Sequence, residues 1–501
     1  MASVNGRTKV FSRTLGACLF ALGVGAIASA QAPPAYKVDA SWPKQLPNNW
    51  IMGQVGGMAV DAQDHVWVLQ RPGSNTKDDL GAAQTPPASE CCISAPPVLV
   101  FDAEGNLLKS WGGPGSGYDW PSSEHSIFVD HAGNVWVTGN GAKDRQAIKF
   151  TNEGKFIMEI GHPSAAPMNN SDTTILGRPA GIELDEKSNE IYFADGYLNR
   201  RVIVFDSETG AFKRMWGAYG KPPSDADLMP YAPGDSPSQL FRNPLHAVHI
   251  SKDGLVYACD RVNDRIQIFT REGKFVKEFI LRPQTLGNGS AYDLAFSHDA
   301  AQKYLLVDDG ENNVIWTLLR SDGSVQGTTG HAGRNAGQFH HVHTIVSDSK
   351  GNLYTGEVET GRRIQKFSLQ IQGSQSETKC NKEDAVQAET EADSLNTWME
   401  VYDSYRRFAK CDDGAIGEGY SDSIAHLLSD ERNDYGQLDQ LVSRNKGFEE
   451  FVLRHVDESM SPTQSQKILD RATVHCPPRA TQLCNKIIAR MKEAFPSQVR
   501  P

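Results

Sequence analysis

A unit of about forty residues that recurs along the chain constrains its fold more than any other feature. In residues 243–275 the unit reads NPLHAVHISKDGLVYACDRVNDRIQIFTREGKF, a series of short apolar runs separated by turn residues. Short runs between Lys-Asp-Gly, Asn-Asp and Arg-Glu-Gly turns are typical of a four-stranded antiparallel sheet. A sheet this small cannot bury both of its faces alone, so it has to stack on further copies of itself.

Six copies of the unit can be aligned. They lie at residues 56–72 with 98–112, 124–140 with 147–161, 179–217, 243–275, 291–319 and 343–369. Four-stranded repeats at this spacing predict a β-propeller, and their turn pattern is that of NHL repeats. The sixth copy has three clear strands, and a strand near Tyr36 is predicted to add the fourth and close the ring. The sequence therefore predicts an all-β, six-bladed propeller over residues 31–370.

The rest of the chain has a different pattern. Residues 371–394 are polar and charged without an apolar period, which predicts a linker. Apolar residues at three-to-four spacing over 395–498 predict a small all-α C-terminal domain. This domain offers no site chemistry, and a protein partner is one role it could serve.

The cysteines predict disulfide bonds in an exported protein. Four of the seven that follow residue 30 lie after residue 379, so two bridges are expected in the helical domain, with their connectivity open. Cys91 and Cys92 form either a bridge between adjacent residues or two thiols in a Pro-rich insert.

The N-terminal segment and the overall charge limit the classes of function that the chain can have. Residues 1–30 combine a basic start, an apolar run and an Ala-Ser-Ala site, which predicts a signal peptide and an exported protein, periplasmic or secreted. No later run reaches the roughly 18 apolar residues of a membrane-spanning helix. The formal net charge is −11, and Lys and Arg do not cluster beyond the N-terminal segment, which argues against nucleic acid as a partner.

Histidine recurs at one register of the innermost strands. Aligning the six copies on the apolar pair of their first strand places these residues at equivalent positions: Gly56, His125, Ala180, His246, Tyr292 and His343. In a closed ring the equivalent positions form a circle around the channel, so the three histidines of alternate blades would point inward together. Three neutral imidazoles are a known ligand set for catalytic zinc. The alternative for any single histidine is a hydrogen-bonded polar residue at the channel.

Two further histidines lie near this register. His249 is three residues after His246, so a regular strand would turn it to the opposite face, as a core histidine. His341 lies two residues before His343 and could reach the metal or carry a proton, as an accessory residue.

A second register, at the end of the second strand, carries the other candidate residues. Arg71, Tyr197 and Arg261 leave their strands there and could approach the channel mouth. Arginine can clamp a carboxylate through two hydrogen bonds, and a tyrosine near a dication can serve as a base. The alternative for each arginine is an ion pair between blades. Asp195, Asp260 and Asp309 share the register, and turn capping is the role expected of them.

With these residues in place, the chain resembles the peptidyl-α-hydroxyglycine α-amidating lyases. The resemblance covers about residues 50–370 and is carried by ADGYLNRRVIVF, by PLHAVHI with CDRVNDRIQIF, and by FHHVHTIVSDSKGNLYTGE. It implies a six-bladed propeller that binds zinc through three histidines and cleaves a carbinolamide into an amide and glyoxylate. By this resemblance His125, His246 and His343 would be the zinc ligands.

The resemblance also implies roles for the residues of the second register. Tyr197 would be the catalytic base, and Arg71 and Arg261 would hold the carboxylate of a small-molecule or peptide substrate at the channel mouth. His341 stands where the family has methionine. The resemblance implies calcium as a second possible cofactor, which stays an open alternative because Thr344 stands where the family has an acid that helps to bind it.

Two other functions remain open at this point. The first is a metal-dependent hydrolase of lactones or esters on the same scaffold, because a fold does not fix a function. The second is a non-catalytic propeller that binds a protein or a cell-envelope ligand. The three histidines argue against the second, since a scaffold does not need them, and Tyr197 separates the lyase from the hydrolase.

Overall fold

The computed structural model describes residues 1–2, 33–370, 380, 382–430 and 435–495. They belong to two compact units, one within Met1–Gln372 and the other within Gly373–Pro501. The predicted signal peptide lies, from residue 3 onward, outside the described residues. In the described part of the chain, no helix has both the length and the apolar character that crossing a bilayer would require.

The first unit is a six-bladed β-propeller, as predicted. Each blade is a four-stranded antiparallel sheet, and the first strand of blades 1–6 lines the central channel. From the channel outward, the strands are Gln54–Val60, Val66–Arg71, Val98–Phe101 and Leu107–Trp111 in blade 1; Glu124–Val129, Val135–Gly139, Gln146–Phe150 and Phe156–Gly161 in blade 2; Gly181–Asp185, Glu190–Asp195, Arg201–Asp206 and Phe212–Trp216 in blade 3; Leu245–Ile250, Val256–Asp260, Arg265–Phe269 and Phe275–Ile280 in blade 4; Asp293–Phe296, Tyr304–Asp309, Val314–Leu319 and Val325–Thr329 in blade 5; and Val342–Ser347, Leu353–Glu357, Ile364–Gln370 and Ala35–Asp39 in blade 6.

The ring is closed by its N-terminal strand. Ala35–Asp39 pairs with Ile364–Gln370, with Tyr36 opposite Leu369. The prediction that the strand near Tyr36 completes blade 6 is confirmed. A short parallel pair, Trp50–Ile51 with Ile93–Ser94, ties the insert of blade 1 to the segment before its first strand.

The core lies between the blades. Middle strands such as Val135–Gly139 and Gln146–Phe150 are buried at every residue, because neighbouring blades cover both of their faces. The fourth strand of the same blade, Phe156–Gly161, is only partly buried, since it forms the outer rim. This explains why the apolar runs of the second and third strands are continuous while those of the fourth alternate with polar residues.

A buried ion pair recurs at the same place in three blades. Arg201 Nε lies 2.8 Å from Asp195 Oδ2 and Arg265 Nε lies 2.7 Å from Asp260 Oδ2, and all four side chains are almost fully buried. Blade 6 has the equivalent pair, Arg363 with Glu357. Asp195 and Asp260, for which the sequence predicts turn capping, are therefore also ion-pair partners.

Replacing Arg201 with alanine is expected to lower the free energy of unfolding of the propeller by about 3–5 kcal/mol, because the Asp195 carboxylate would be left buried without its partner. Arg201 also donates to the carbonyls of Asn170 and Ile175, which would lose their donor. Urea unfolding followed by tryptophan fluorescence measures the change. Lys109→Ala is the matched control: its pair with Glu153 is exposed, so a loss below about 1 kcal/mol is expected. Equal losses in the two variants would contradict the prediction.

The second unit is all-α, as predicted, with seven helices among the described residues. They are α1 (Lys382–Glu391), α2 (Trp398–Phe408), α3 (Gly414–Ser429), α4 (Tyr435–Arg444), α5 (Lys446–Arg454), α6 (Pro462–Val474) and α7 (Thr481–Ala494). Capping boxes open α2, at Thr397, and α6, at Ser461. Disulfides join Cys380 to Cys411 and Cys476 to Cys484, which is the predicted number of bridges in this domain.

Two details of the sequence prediction are resolved by the structure. Helix α1 lies inside residues 371–394, for which a linker is predicted, so the linker prediction is wrong over 382–391. Only Ala388 of this helix is buried, which explains why the sequence shows no apolar period there. Of the two alternatives for Cys91 and Cys92, the structure has the bridge between adjacent residues. The disulfides are consistent with an exported protein.

Candidate metal centre

A β-bulge at the start of an innermost strand positions each of the three aligned histidines. In blade 2, Glu124 pairs with Gly139 and Ser126 with Thr138, so His125 is an extra residue in the ladder. The same register shift skips His246 in blade 4 and His343 in blade 6. A bulge re-aims the side chain of its extra residue. Here it turns three imidazoles into the channel from alternate blades.

The three imidazoles lie together and are buried. Their ring centroids are 4.7–5.1 Å apart, and one ligand nitrogen from each lies within 4.8 Å of the others. His125, His246 and His343 are 2–4% exposed. Within the described residues, this is the one group of His, Cys, Asp or Glu side chains that could hold a metal ion.

Backbone carbonyls from the next blade orient two of the rings. His125 Nδ1 lies 2.8 Å from the carbonyl oxygen of Ala180, and His246 Nδ1 lies 2.7 Å from that of Tyr292. A carbonyl can only accept, so Nδ1 of each ring carries the proton and Nε2 keeps its lone pair. Ala180 and Tyr292 occupy the aligned histidine register in blades 3 and 5. Blades that provide no imidazole therefore support the imidazole of their neighbour.

Burial keeps the three imidazoles neutral. Burial, reinforced by His246, holds the pKa of His125 well below its ordinary value, and burial with the same neighbour does so for His343. Burial and the charge of Arg261 lower the pKa of His246 to about 3. Neutral imidazole is the form that binds metal.

The donor set fits zinc or a similar transition metal. Nε2 of His246 and Nε2 of His343 face each other at 3.1 Å, close to the roughly 3.3 Å that two tetrahedral ligands at 2.0–2.1 Å from zinc would show. His343 Nδ1 is buried without a hydrogen-bond partner among the described residues, so this ring is held less firmly than the other two.

Of the candidate residues of the second register, Tyr197 contacts the three-histidine cluster directly. The Tyr197 hydroxyl lies 2.9 Å from His125 Nε2, and its ring contacts those of His125 and His246. Since Nδ1 of His125 carries the proton, the hydroxyl donates to the Nε2 lone pair. Nε2 is also the atom through which His125 would bind a metal. The Tyr197 hydroxyl therefore lies directly beside the candidate metal position.

The two arginines contact residues that adjoin the candidate ligands. Arg71 donates from Nε to the carbonyl of Glu124 and from Nη1 to Gln54 Oε1, at 2.6 and 2.9 Å. Arg261 lies over the ring of Tyr292, with Cζ 4.4 Å from the ring centroid. Neither guanidinium forms an ion pair with any described residue, so the alternative of a salt bridge between blades is not what the structure has. Both charges remain available to an anionic ligand.

Two residues at the mouth were not identified from the sequence. Arg178 lies over the ring of Tyr197, with Cζ 5.9 Å from its centroid, and has a φ of +61°. Tyr292 supports His246 through its carbonyl and contacts Arg261 through its ring. Tyr292 stands in the aligned histidine register, which was a usable signal, whereas nothing in the sequence marks Arg178.

His341 lies beside the triad and does not belong to it. Its Nε2 is 3.3 Å from the Tyr292 hydroxyl, and its backbone is left-handed, with a φ of +62°. A non-glycine residue at positive φ stores strain and is often found at functional sites. Burial lowers the pKa of His341, so the ring is neutral at pH 7. An accessory role for His341 remains a prediction.

The channel beyond the three histidines is a cavity of about 460 Å³. It is lined by the first strands of the six blades and includes Glu183, His249 and Asp293. The prediction that His249 faces away from the channel is wrong. The bulge at His246 adds one residue to the strand, which shifts the alternation of faces by one and returns His249 to the channel side.

Comparisons with known proteins agree with the predicted resemblance. Peptidyl-glycine alpha-amidating monooxygenase B of Xenopus laevis is 26% identical over 341 residues, which cover 66% of this chain and 35% of that protein. A probable peptidyl-alpha-hydroxyglycine alpha-amidating lyase of Caenorhabditis elegans is 22% identical over 335 residues, covering 63% and 82%. NHL repeat-containing protein 3 of Mus musculus is 24% identical over 301 residues, covering 58% and 70%.

The chain spans about one third of the length of the two Xenopus laevis amidating monooxygenases that it matches. No protein-family model matches the chain. Among solved structures, virginiamycin B lyase from Staphylococcus aureus aligns with a TM-score of 0.36 at 16% identity, covering 68% of this chain and 90% of that one. The chain is thus similar in sequence both to amidating lyases and to an NHL-repeat protein.

Proposed function

We propose that this protein is an exported, metal-dependent lyase that cleaves the C–N bond of a carbinolamide, such as a peptidyl-α-hydroxyglycine, to give an amide and glyoxylate. The observation that carries the proposal is the Tyr197 hydroxyl, 2.9 Å from Nε2 of one of three buried, neutral imidazoles. The similarity to proteins named as amidating lyases supports the same reaction class. We further propose zinc as the metal, on the basis of the three-histidine donor set.

In this mechanism His125, His246 and His343 would hold the metal, and the carbonyls of Ala180 and Tyr292 keep two of the rings in the ligating tautomer. The bound metal would supply Lewis acidity toward the hydroxyl or carboxylate oxygen of the substrate.

Tyr197 and the two arginines act on the substrate itself. With a metal bound beside it, Tyr197 would release its own proton to solvent and act as the phenolate. It then takes the proton of the substrate hydroxyl while the C–N bond breaks and the C–O bond becomes a carbonyl. The electron pair of the broken bond leaves with the amide nitrogen, which takes up the proton that Tyr197 has removed from the hydroxyl, so the products are a primary amide and glyoxylate and Tyr197 is regenerated. Arg71 and Arg261 hold the carboxylate that becomes part of glyoxylate, which fixes the angle at which the C–N bond breaks.

The test is a direct assay of the purified full chain with an N-acyl-α-hydroxyglycine. We expect equimolar amide and glyoxylate, at a rate at least ~10⁶-fold above the spontaneous breakdown. The N-acylglycine without the hydroxyl should not react, since it has no proton for Tyr197 to take. A protein that carries its metal and does not release glyoxylate would contradict the lyase proposal.

A binding propeller is the second candidate, favoured by the similarity to NHL repeat-containing protein 3. It would take a protein or a cell-envelope ligand, and the helical unit could bind a protein partner. Metal analysis separates the two candidates. A wild-type protein that takes up no metal, even after reconstitution, would favour the binding propeller over either enzyme.

A further inference from the structure

Three charged side chains from consecutive blades meet in the channel below the three histidines. His249 Nδ1 lies 3.1 Å from Glu183 Oε2 of blade 3, and His249 Nε2 lies 2.6 Å from Asp293 Oδ1 of blade 5. Both ring nitrogens of His249 face carboxylates, an arrangement that an imidazolium satisfies by donating from both nitrogens. Glu183, His249 and Asp293 are called the channel network below.

The channel network continues into blade 6 through the second oxygen of Asp293. Asp293 Oδ2 accepts hydrogen bonds from Thr344 Oγ1 and from the backbone N–H of Ile345, at 3.1 and 3.2 Å. Thr344 directly follows His343, and His249 lies in the same strand as His246. One carboxylate therefore joins the two strands that carry the second and third candidate ligands.

Blade 5 contacts the strand of His246 through two consecutive residues. The carbonyl of Tyr292 accepts from His246 Nδ1, and the next residue, Asp293, accepts from His249 in the same strand. At the other end of the channel network, Glu183 binds His249 from the blade whose Ala180 carbonyl supports His125. The strands of His125, His246 and His343 are thus connected through blades 3 and 5, which provide no ligand.

We propose that the channel network positions the metal centre, with Glu183, His249 and Asp293 as positioning residues that set the separations of the three histidine Nε2 atoms. The inference rests on the metal site of the proposed function. The channel network is not a second metal site, because its two carboxylates lie on opposite sides of the imidazole ring and do not converge on one point. The imidazolium serves as a fixed internal cation between them.

The charge balance explains why the channel network is stable where it lies. Burial alone would lower the pKa of His249, but Asp293 and Glu183 outweigh it and raise the pKa to about 10. The imidazolium therefore persists at neutral pH and offsets one of the two carboxylates. Removing it would leave the two carboxylates without the cation that offsets their burial, and blades 3 and 5 would lose their link through blade 4.

The test measures metal affinity, which the loss of an ion pair elsewhere in the propeller would not change. His249→Ala in the full chain is expected to bind zinc about tenfold more weakly than wild type, by competition with a chromophoric chelator. The visible absorption of the cobalt-substituted protein should change with it, because the ligand geometry changes. His65→Ala is the matched control: His65 Nδ1 lies 3.0 Å from Asp61 Oδ2, but that pair lies within blade 1 and joins no two blades.

Asp293→Asn provides a second test should His249→Ala fail to fold. When the amide oxygen accepts from His249, the NH2 group faces blade 6 and can accept from neither Thr344 nor Ile345. The change therefore weakens the link to blade 6 and should also lower zinc affinity. The inference is overturned if folded His249→Ala or Asp293→Asn binds zinc within about twofold of wild type, or no more weakly than His65→Ala. A wild-type protein that binds no zinc contradicts the proposed function instead.

Discussion

Replacing His246 with alanine is expected to abolish stable metal binding and to lower kcat/KM for carbinolamide cleavage by at least ~10³-fold. His246 is one corner of a nearly equilateral triangle of imidazoles, with its ring centroid 5.1 Å from that of His125 and 4.7 Å from that of His343. Two ligands seldom retain zinc at a catalytic site, and losing a Lewis acid worth about 4 kcal/mol accounts for the expected rate. Metal content per chain after dialysis and steady-state kinetics measure the two effects.

His162→Ala serves as the control for the loss of a histidine, because His162 is exposed on the loop after blade 2. It should keep about one metal per chain and its activity. Circular dichroism and thermal unfolding of the metal-free proteins establish whether His246→Ala remains folded. Full metal content in a folded His246→Ala protein would rule out the three-histidine centre.

The second large effect is expected from Tyr197→Phe, which should lower kcat by ~10²–10⁴-fold with the metal content unchanged. The change removes the hydroxyl that lies 2.9 Å from His125 Nε2 and keeps the ring that packs on His125 and His246. Because the arginines remain, KM should change little. Steady-state release of glyoxylate, together with metal analysis, separates a chemical role from a binding role.

Tyr118→Phe is the control, since its hydroxyl donates to the carbonyl of Gly113 in an aromatic cluster outside the site. A comparison of Tyr197→Phe with the wild-type protein also distinguishes a lyase from a hydrolase. If Tyr197→Phe cleaves carbinolamides at the wild-type rate, Tyr197 is not the base. Wild-type hydrolysis of an ester or lactone that survives Tyr197→Phe would favour a metal-dependent hydrolase on this scaffold.

The fold could be predicted because its information is local and repeated. Each copy carries its own turn residues, and the missing fourth strand of blade 6 pointed to the strand near Tyr36. Helix α1 could not be predicted in the same way. It is polar on nearly every face, buries only Ala388 and follows directly after the disulfide at Cys380, so no apolar period marks it.

The candidate site was only partly predictable. The repeat register brought out His125, His246 and His343 because equivalent positions in a ring meet at its axis. The same register misplaced His249, because a bulge adds a residue that an alignment of apolar pairs does not reveal. The carbonyls of Ala180 and Tyr292 are backbone groups, which no residue pattern can show, and the left-handed backbone of Arg178 has no sequence signal of its own.

The pairing of Ala35–Asp39 with Ile364–Gln370 has a consequence for how the molecule assembles. Ala35–Asp39 is the first strand of the propeller to be synthesised, and Ile364–Gln370 is the last. The edge of the first strand therefore stays uncovered until about three hundred further residues have been synthesised. Contacts of such long sequence separation form slowly, and an uncovered edge strand invites pairing with another chain. During synthesis, the vulnerable species is therefore an open arc of blades with two free edges, and a chaperone that shields either edge would protect it until residue 370 arrives.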